Sequence, residues 1–579
     1  MGCFKWMRKC TSKVAASQLS HSGASVAAIP PWPPGTGFGT GTISLGEIEV
    51  CEVSTFTQVW CTNEGGIGDK GATFCKPTNL PAGFSYLGYF SQSNNKPFGG
   101  SVLIVTEKAS NIQVTSEGPE AKKDPPRCIF DPEHLPALAR PVDYTCVWTS
   151  EFWEGKQTGV GFFWLPIPPD GYKALGFVVT NTKDKPDDDK IICVRADLTE
   201  QCAVEGLLWA TSNYYEQFPF TCWTLKPLVV GIDAQGVSIG TFYCTNALNP
   251  EKHIPVSILK NLDFQLQAMP NLDQINALVT NYGPTVYFHP DEEYFPASVQ
   301  WFFVQGALLY ESVSSIPVRI AINGSNLPFG GTNDGKYWID LPNGNSAKNV
   351  KKGNLETAIT YVHVKPMYGG IYTDLAFWLY YPFNGPCIAK VGVINVALGR
   401  IGEHVSDWEH FTLRVSNFTG ELLQIYFSEH SSGLWVGASE LEYLNRRPVV
   451  YASKHGHSTY AHEGNHLQGD EKHGFGIRND AAQSKFILDT SIKFQIIAVD
   501  YLYALAFPSE PPWVQYMREW GPKLEYDARA ELDRIVKFLP SKMRNSLEEL
   551  FDRFPEALSG EEGPTGPKEK DNWDGDERR

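Results

Sequence analysis

The stretch from His404 to Ser416 constrains the fold more than any other, because from Asp407 onward it alternates with the two-residue period of a β-strand. Asp407, Glu409, Phe411, Leu413 and Val415 fall on one face; Trp408, His410, Thr412, Arg414 and Ser416 fall on the other. The first face ends in three apolar residues, so it is the one expected to meet a core. Its other end carries two carboxylates side by side at i and i+2. Two like charges beside a buried face are costly unless something compensates them. A cation is the simplest compensator, and His404 just upstream adds a third ligand. A histidine with two carboxylates suits a hard cation, Ca²⁺ or Mg²⁺. His404, Asp407 and Glu409 are therefore the candidate metal ligands, against the alternative of solvated acids at an exposed strand end.

The surrounding sequence extends this site. Leu422–Phe427 follows the turn at Asn417–Gly420, an order that fits a hairpin and brings Ser428-Glu-His430 towards the acids. His430 is thus an additional candidate. Eight of the 13 histidines lie between His404 and His473, and His455 and His457 have the spacing to share one strand face and bind a metal, against the commoner outcome of satisfied loop histidines. His462-Glu463-Gly464-Asn465-His466 spells H-E-x-x-H, the zinc-protease motif, which requires a helix. Gly464 and Asn465 disfavour helix and neither flank has helical periodicity, so the match is read as chance. No G-x-S-x-G elbow, phosphate loop or dinucleotide fingerprint accompanies it.

At these residues the chain resembles the plant family of vacuolar protein sorting-associated protein 62, and the likeness runs along nearly its whole length. It is carried by Pro31–Gly41 leading into Ile43–Ile48, by Tyr287–Pro296, by Gly402–Val415 and by Val450–Tyr460. His404-x-x-Asp407-Trp408-Glu409 also resembles the metal-binding core of the necrosis-inducing, cytolysin-like toxins. That likeness implies a β-sandwich holding a divalent cation; no aspartate here aligns clearly with a further upstream acid of those toxins.

A length of 579 residues suggests more than one domain, and short strands between Gly, Pro and Asn clusters make the fold class mainly β. A flexible N-terminus (1–27) is followed by a β-rich domain (28–245). There Gly41–Gly46, Gly83–Gly88, Gly171–Gly176 and Gly236–Gly240 repeat a glycine-bounded pattern ending in Leu-Gly or Ile-Gly. This domain resembles the β-prism of membrane-contacting adaptors. A helical connector (246–281) is expected to start behind an Asn271 cap. A β-sandwich domain carrying the site (282–522) and C-terminal helices with an acidic, mobile tail (523–579) complete the chain; Trp573 is the tail's one hint of docking. Within the sandwich, Trp301–Tyr310 reads as a strand.

The formal charge of −16 excludes a basic stripe for nucleic acid. No secretory signal or run of 18 apolar residues is present, and 12 cysteines lie without C-x-x-C pairs. A cytoplasmic protein with reduced thiols is expected. Gly2 and Cys3 are candidate acylation sites, and Lys5, Arg8, Lys9 and Lys13 would add attraction to an anionic membrane surface. The sequence thus predicts a non-enzymatic, cation-binding protein of a membrane surface. Its alternatives are a metal-dependent hydrolase or oxygenase, and a defence protein with lytic action.

Overall fold

Glycine and proline turns break the chain into short strands, and in the computed structural model these pair, mostly antiparallel, into several sheets. The structure describes residues 18–20, 31–108, 135–211, 220–247, 254–263, 266–429, 432–470, 472, 474–505, 510–523, 528–537, 540–553 and 564–577. The protein is mainly β with a few helices, as its turn-rich sequence predicts. No sheet among the described residues mixes strands from before Lys260 with strands from after Thr285.

In the N-terminal half the glycine-bounded repeat has a physical basis. Leu45, Leu87, Leu175 and Ile239, the apolar residue of each copy, are all buried in one core. Gly88 and Gly176 pack so closely that a Cβ on Gly88 would lie 2.9 Å from the Gly176 Cα. The two middle copies therefore need their second glycine for close approach. A second core in this half is aromatic: Trp60, Phe74, Phe163, Trp209 and Phe220 interlock, with the Trp60 and Trp209 ring centroids 5.5 Å apart. Trp148, Trp153 and Trp223 pack against it.

Asn271 caps the Leu272–Tyr282 helix through a capping box with Gln274, and Ile275, Leu278 and Val279 are buried beneath it. Beyond it lies the sheet that matters most for function. Its order is Ser432–Gly437, Leu422–Glu429, His404–Ser416, Tyr372–Asn384, Thr360–Met367 and Phe494–Val499. The motif strand His404–Ser416 is central and pairs with Tyr372–Asn384 along its whole length, from Ser416 opposite Tyr372 to His404 opposite Asn384. Phe411, Leu413 and Val415 are fully buried, each burial contributing about 1.5–3 kcal/mol.

Three expectations need correction. Trp301 lies in a helix, Val299–Val304, and only Leu308–Glu311 is a strand. The opposite face of the motif strand is also buried: Trp408 sits in an aromatic core, and Thr412 and Arg414 are covered. The cover is the tail itself. Asn572, Trp573 and Glu577 are buried, so the segment after Pro564 is docked rather than mobile. The helices Ala528–Val536 and Ser541–Arg553 place Leu532, Val536 and Leu547 against Ala389, Leu398 and Ile477. No helix among the described residues is long and apolar enough to cross a membrane.

Candidate functional site

The end of the motif strand is built from three chain segments. The strand supplies His404, Asp407 and Glu409. The acidic turn after Phe288 supplies Glu292 and Tyr294, and the tight turn after Ala452 supplies His455 and His457. Ser406, His455 and His457 all have left-handed backbones (φ 60°, 68° and 58°), which is unfavourable for residues with a Cβ and clusters at constrained sites.

His457 is fully buried, its ring stacked 3.8 Å from that of Tyr381. Its Nε2 lies 3.0 Å from the Tyr294 carbonyl oxygen, and a carbonyl only accepts, so Nε2 carries the proton. Nδ1 faces the Asp407 Oδ2 at 3.2 Å. Either Nδ1 is protonated and donates to the carboxylate, or two lone pairs face each other and call for a shared cation. His404 repeats the logic in mirror form: Nδ1 donates to the Ser406 carbonyl at 2.6 Å, which leaves Nε2 as the nitrogen without the proton. Glu409 Oε2 lies 2.8 Å from Ser428 Oγ.

The two acids are electrostatically unequal. Burial pushes the Asp407 carboxyl up, but the hydrogen bond from His457 and the charges of both imidazoles outweigh it and hold Asp407 below the usual range. Burial, then the charge of Asp407, pushes Glu409 well above its ordinary value. Burial lowers His404. The Tyr381 hydroxyl, on the strand residue opposite Asp407, is buried with no hydrogen-bond partner among the described residues.

Of the residues named from sequence, the structure brings Asp407 and His457 into contact and places His404 and Glu409 on the same strand. His455 is turned aside: its backbone N–H donates to Glu292 Oε2 at 2.7 Å and its Nδ1 points to the Pro386 carbonyl. His430, Gly2 and Cys3 lie outside the described residues. His462 and His466 of the H-E-x-x-H match fall on a turn and on the strand Gly464–Asp470, without the helix a zinc protease needs. Ser428, which the hairpin order places towards the acids, does meet Glu409; Tyr294, Glu292 and Tyr381 were missed, and only the acidity of the turn at Asp291–Glu293 hinted at any of them.

Among the described residues no three His, Cys, Asp or Glu side chains stand close enough to form a metal set. The close pair is Asp407 with His457. One carboxylate, one imidazole and a nearby second acid match a hard cation that keeps several waters, as Mg²⁺ does, better than a closed zinc site.

Solved structures similar in part to this chain include GNIP1Aa from Chromobacterium piscinae, with 16% identity, a TM-score of 0.29 and coverage of 41% of this chain and 40% of that one. Another is Necrosis and Ethylene inducing Protein 2 from the causal agent of cocoa's Witches' Broom disease, with 14% identity, a TM-score of 0.18 and coverage of 32% and 67%. The chain is also 24% identical to vacuolar protein sorting-associated protein 62 of Saccharomyces cerevisiae, over 32% of its own length and 46% of that protein's. It thus spans about half the length of this curated relative. The model of the family Vacuolar protein sorting-associated protein 62 matches residues 22–577, nearly the whole chain, and the chain belongs to that family.

Proposed function

We propose that this protein binds one hard divalent cation, Ca²⁺ or Mg²⁺, at the end of the motif strand, and acts without catalysis at an anionic membrane surface in vacuolar or endosomal trafficking. The observation that carries the cation reading is His457: with Nε2–H committed to the Tyr294 carbonyl, its Nδ1 faces Asp407 Oδ2 at 3.2 Å. Asp407 and His457 would be direct ligands. His404 Nε2 and Glu409 would act through ordered waters, and a bound cation would offset the burial and the charge of Asp407 that together push Glu409 up. The trafficking half rests on family membership, and the membrane half on Gly2, Cys3 and the basic residues of Met1–Lys13.

Thermal melting in EDTA, Ca²⁺ and Mg²⁺ tests the site. A cation present at about 100 times its dissociation constant should stabilise the fold by about 2.7 kcal/mol. Superimposed curves would remove the cation. Co-sedimentation with anionic and neutral liposomes, with and without Met1–Lys13, tests the surface. Absence from both pellets, with Gly2 unmodified in the cellular protein, would remove the membrane.

A further inference from the structure

Cys222 and Cys244 stand directly opposite each other on neighbouring antiparallel strands, Thr221–Pro227 and Phe242–Thr245. Residues so placed point to the same face of a sheet, with Cα atoms about 4.5–5.5 Å apart. A disulfide spans Cα atoms about 4.4–6.8 Å apart, so the ladder holds this pair within bonding reach without moving the backbone. The sulfurs already lie 3.0 Å from each other, against about 2.0 Å in an S–S bond. Both side chains are buried, 0% and 2% exposed, in the aromatic core of Trp60, Phe163 and Trp209.

Register distinguishes this pair from Cys61 and Cys75, which also lie on neighbouring strands: Cys61 is opposite Thr73, and Cys75 is opposite Gln58. Among the described residues no third His, Cys, Asp or Glu joins Cys222 and Cys244 as a metal set, so the chemistry open to them is oxidation. Burial, and then the neighbouring Cys222, pushes the Cys244 thiol well up, which keeps the nucleophilic thiolate scarce in the closed core. The way in is the strand itself. Phe242–Thr245 is the last strand of its five-stranded sheet, paired on one side only, and local opening there admits a reagent.

We propose that Cys222 and Cys244 are a redox site, which a small disulfide of the oxidised glutathione class converts to an intramolecular bridge. One cysteine loses its proton, and its thiolate attacks the S–S bond of the oxidant and expels one thiolate. The second cysteine, deprotonated in turn, attacks the mixed disulfide and expels the other. The two cysteines are oxidised to one S–S bond, the oxidant is reduced to two thiols, and the two protons end on those thiols. The bridge joins residues 22 positions apart and staples the outer strand to its neighbour, which removes freedom from the unfolded chain. In a reducing compartment the pair stays as thiols; in an oxidising one it is a staple of the N-terminal half.

Full-length protein is held with oxidised glutathione at room temperature, and again a few degrees below its melting transition, where the outer strand opens more often. Remaining thiols are then alkylated in denaturant and the peptides mapped by mass spectrometry. A peptide linked through Cys222 and Cys244 should be the main linked species, forming faster at the higher temperature and lost on treatment with dithiothreitol. The bridged protein should melt several degrees above the reduced one. Cys222→Ala should give neither the link nor the rise in melting, whereas Cys61→Ala should keep both. Full alkylation of Cys222 and Cys244 in wild type at both temperatures would overturn the proposal. So would glutathione retained on either cysteine without a link, or a bridged protein that melts no higher than the reduced one.

Discussion

Two carboxylates at i and i+2 on one strand face cannot both be ionised cheaply beside a buried core, and here the fold treats them differently. Asp407 has two imidazoles to favour its charge, whereas Glu409 has a hydroxyl and the repulsion of Asp407. Opposite mutational signs follow. Glu409→Gln keeps a hydrogen-bond partner for Ser428 and removes a like charge, so the metal-free protein should be unchanged or about 1 kcal/mol more stable, while its stabilisation by Ca²⁺ or Mg²⁺ shrinks. Asp407→Asn withdraws the charge facing His457 and should cost about 1–3 kcal/mol even in EDTA. Chemical denaturation of both variants with and without cation is the measurement; equal losses in the two would make the acids plain structural groups. Asp407 and Glu409 were legible because strand alternation places them on one face by spacing alone; His404 was named only for lying just upstream, since unbroken alternation would put it on the Trp408 face and the left-handed Ser406 interrupts that alternation. The His457–Tyr294 contact was not, because residues 163 apart are joined by a backbone carbonyl that no sequence pattern marks.

At the scale of elements, the docked tail has the clearest energetic role. Lys365, buried in the strand Thr360–Met367, donates to the carbonyls of Asn572 and Gly575. Arg414 bridges Asp374 and Asp576, each at 2.7 Å, and Trp573 stacks on His363 at 3.9 Å. Glu577 meets His410 at 2.9 Å and also bonds Thr412. Burial pushes the Glu577 carboxyl up, but His410, Lys365 and Thr412 outweigh it and hold it at about 2 against an ordinary 4.5. Its folded value being depressed, its stabilisation is full above pH 4.5 and is lost as pH falls toward about 2. The protection of the tail amides, taken relative to intrinsic exchange at each pH, should therefore fall below pH 4.5 in wild type. Glu577→Gln should show faster exchange already at neutral pH and a flatter response, at a cost of about 2 kcal/mol. A tail whose exchange is identical in the two proteins across that range would show the ion pair to be idle. The tail's composition reads as mobile because its acids look solvated; the groups that hold it sit 162 to 210 residues earlier, on two strands of one sheet. The helix at Val299–Val304 escaped for a local reason. Its aromatic residues favour strands, and the decisive signal is the Ser298 cap, whose side chain accepts from the Trp301 N–H at 3.1 Å.

Across the whole molecule, the sheets are segregated but the cores are not. Leu45, Leu87, Leu175 and Ile239 of the N-terminal repeats share one apolar cluster with Met367, Tyr368, Ile371 and Phe418 of the site-bearing half. The backbone N–H groups of Gly39 and Gly41 donate to the carbonyls of Asn417 and Phe418 at 2.9 and 2.8 Å. Trp32 Nε1 donates to the Thr419 carbonyl at 2.9 Å, and a Cβ on Gly420 would strike the Trp32 ring, so the turn that closes the motif strand needs its glycine, at φ 77°. The tail adds another tie, since the Asp574 carbonyl accepts the Ile232 N–H at 3.0 Å. An interface of shared core rather than polar rim predicts that the halves do not melt separately. Calorimetry of the full chain should show one transition. Phe418→Ala, which empties a position 1% exposed at the junction, should cost about 3–5 kcal/mol and lower that transition as a unit. Two resolved transitions, with only one moved by Phe418→Ala, would mean that the halves fold independently and that the junction merely rests one against the other. A single transition would instead make the turn at Asn417–Gly420 the point where the repeats of the N-terminal half support the strand that carries His404, Asp407 and Glu409.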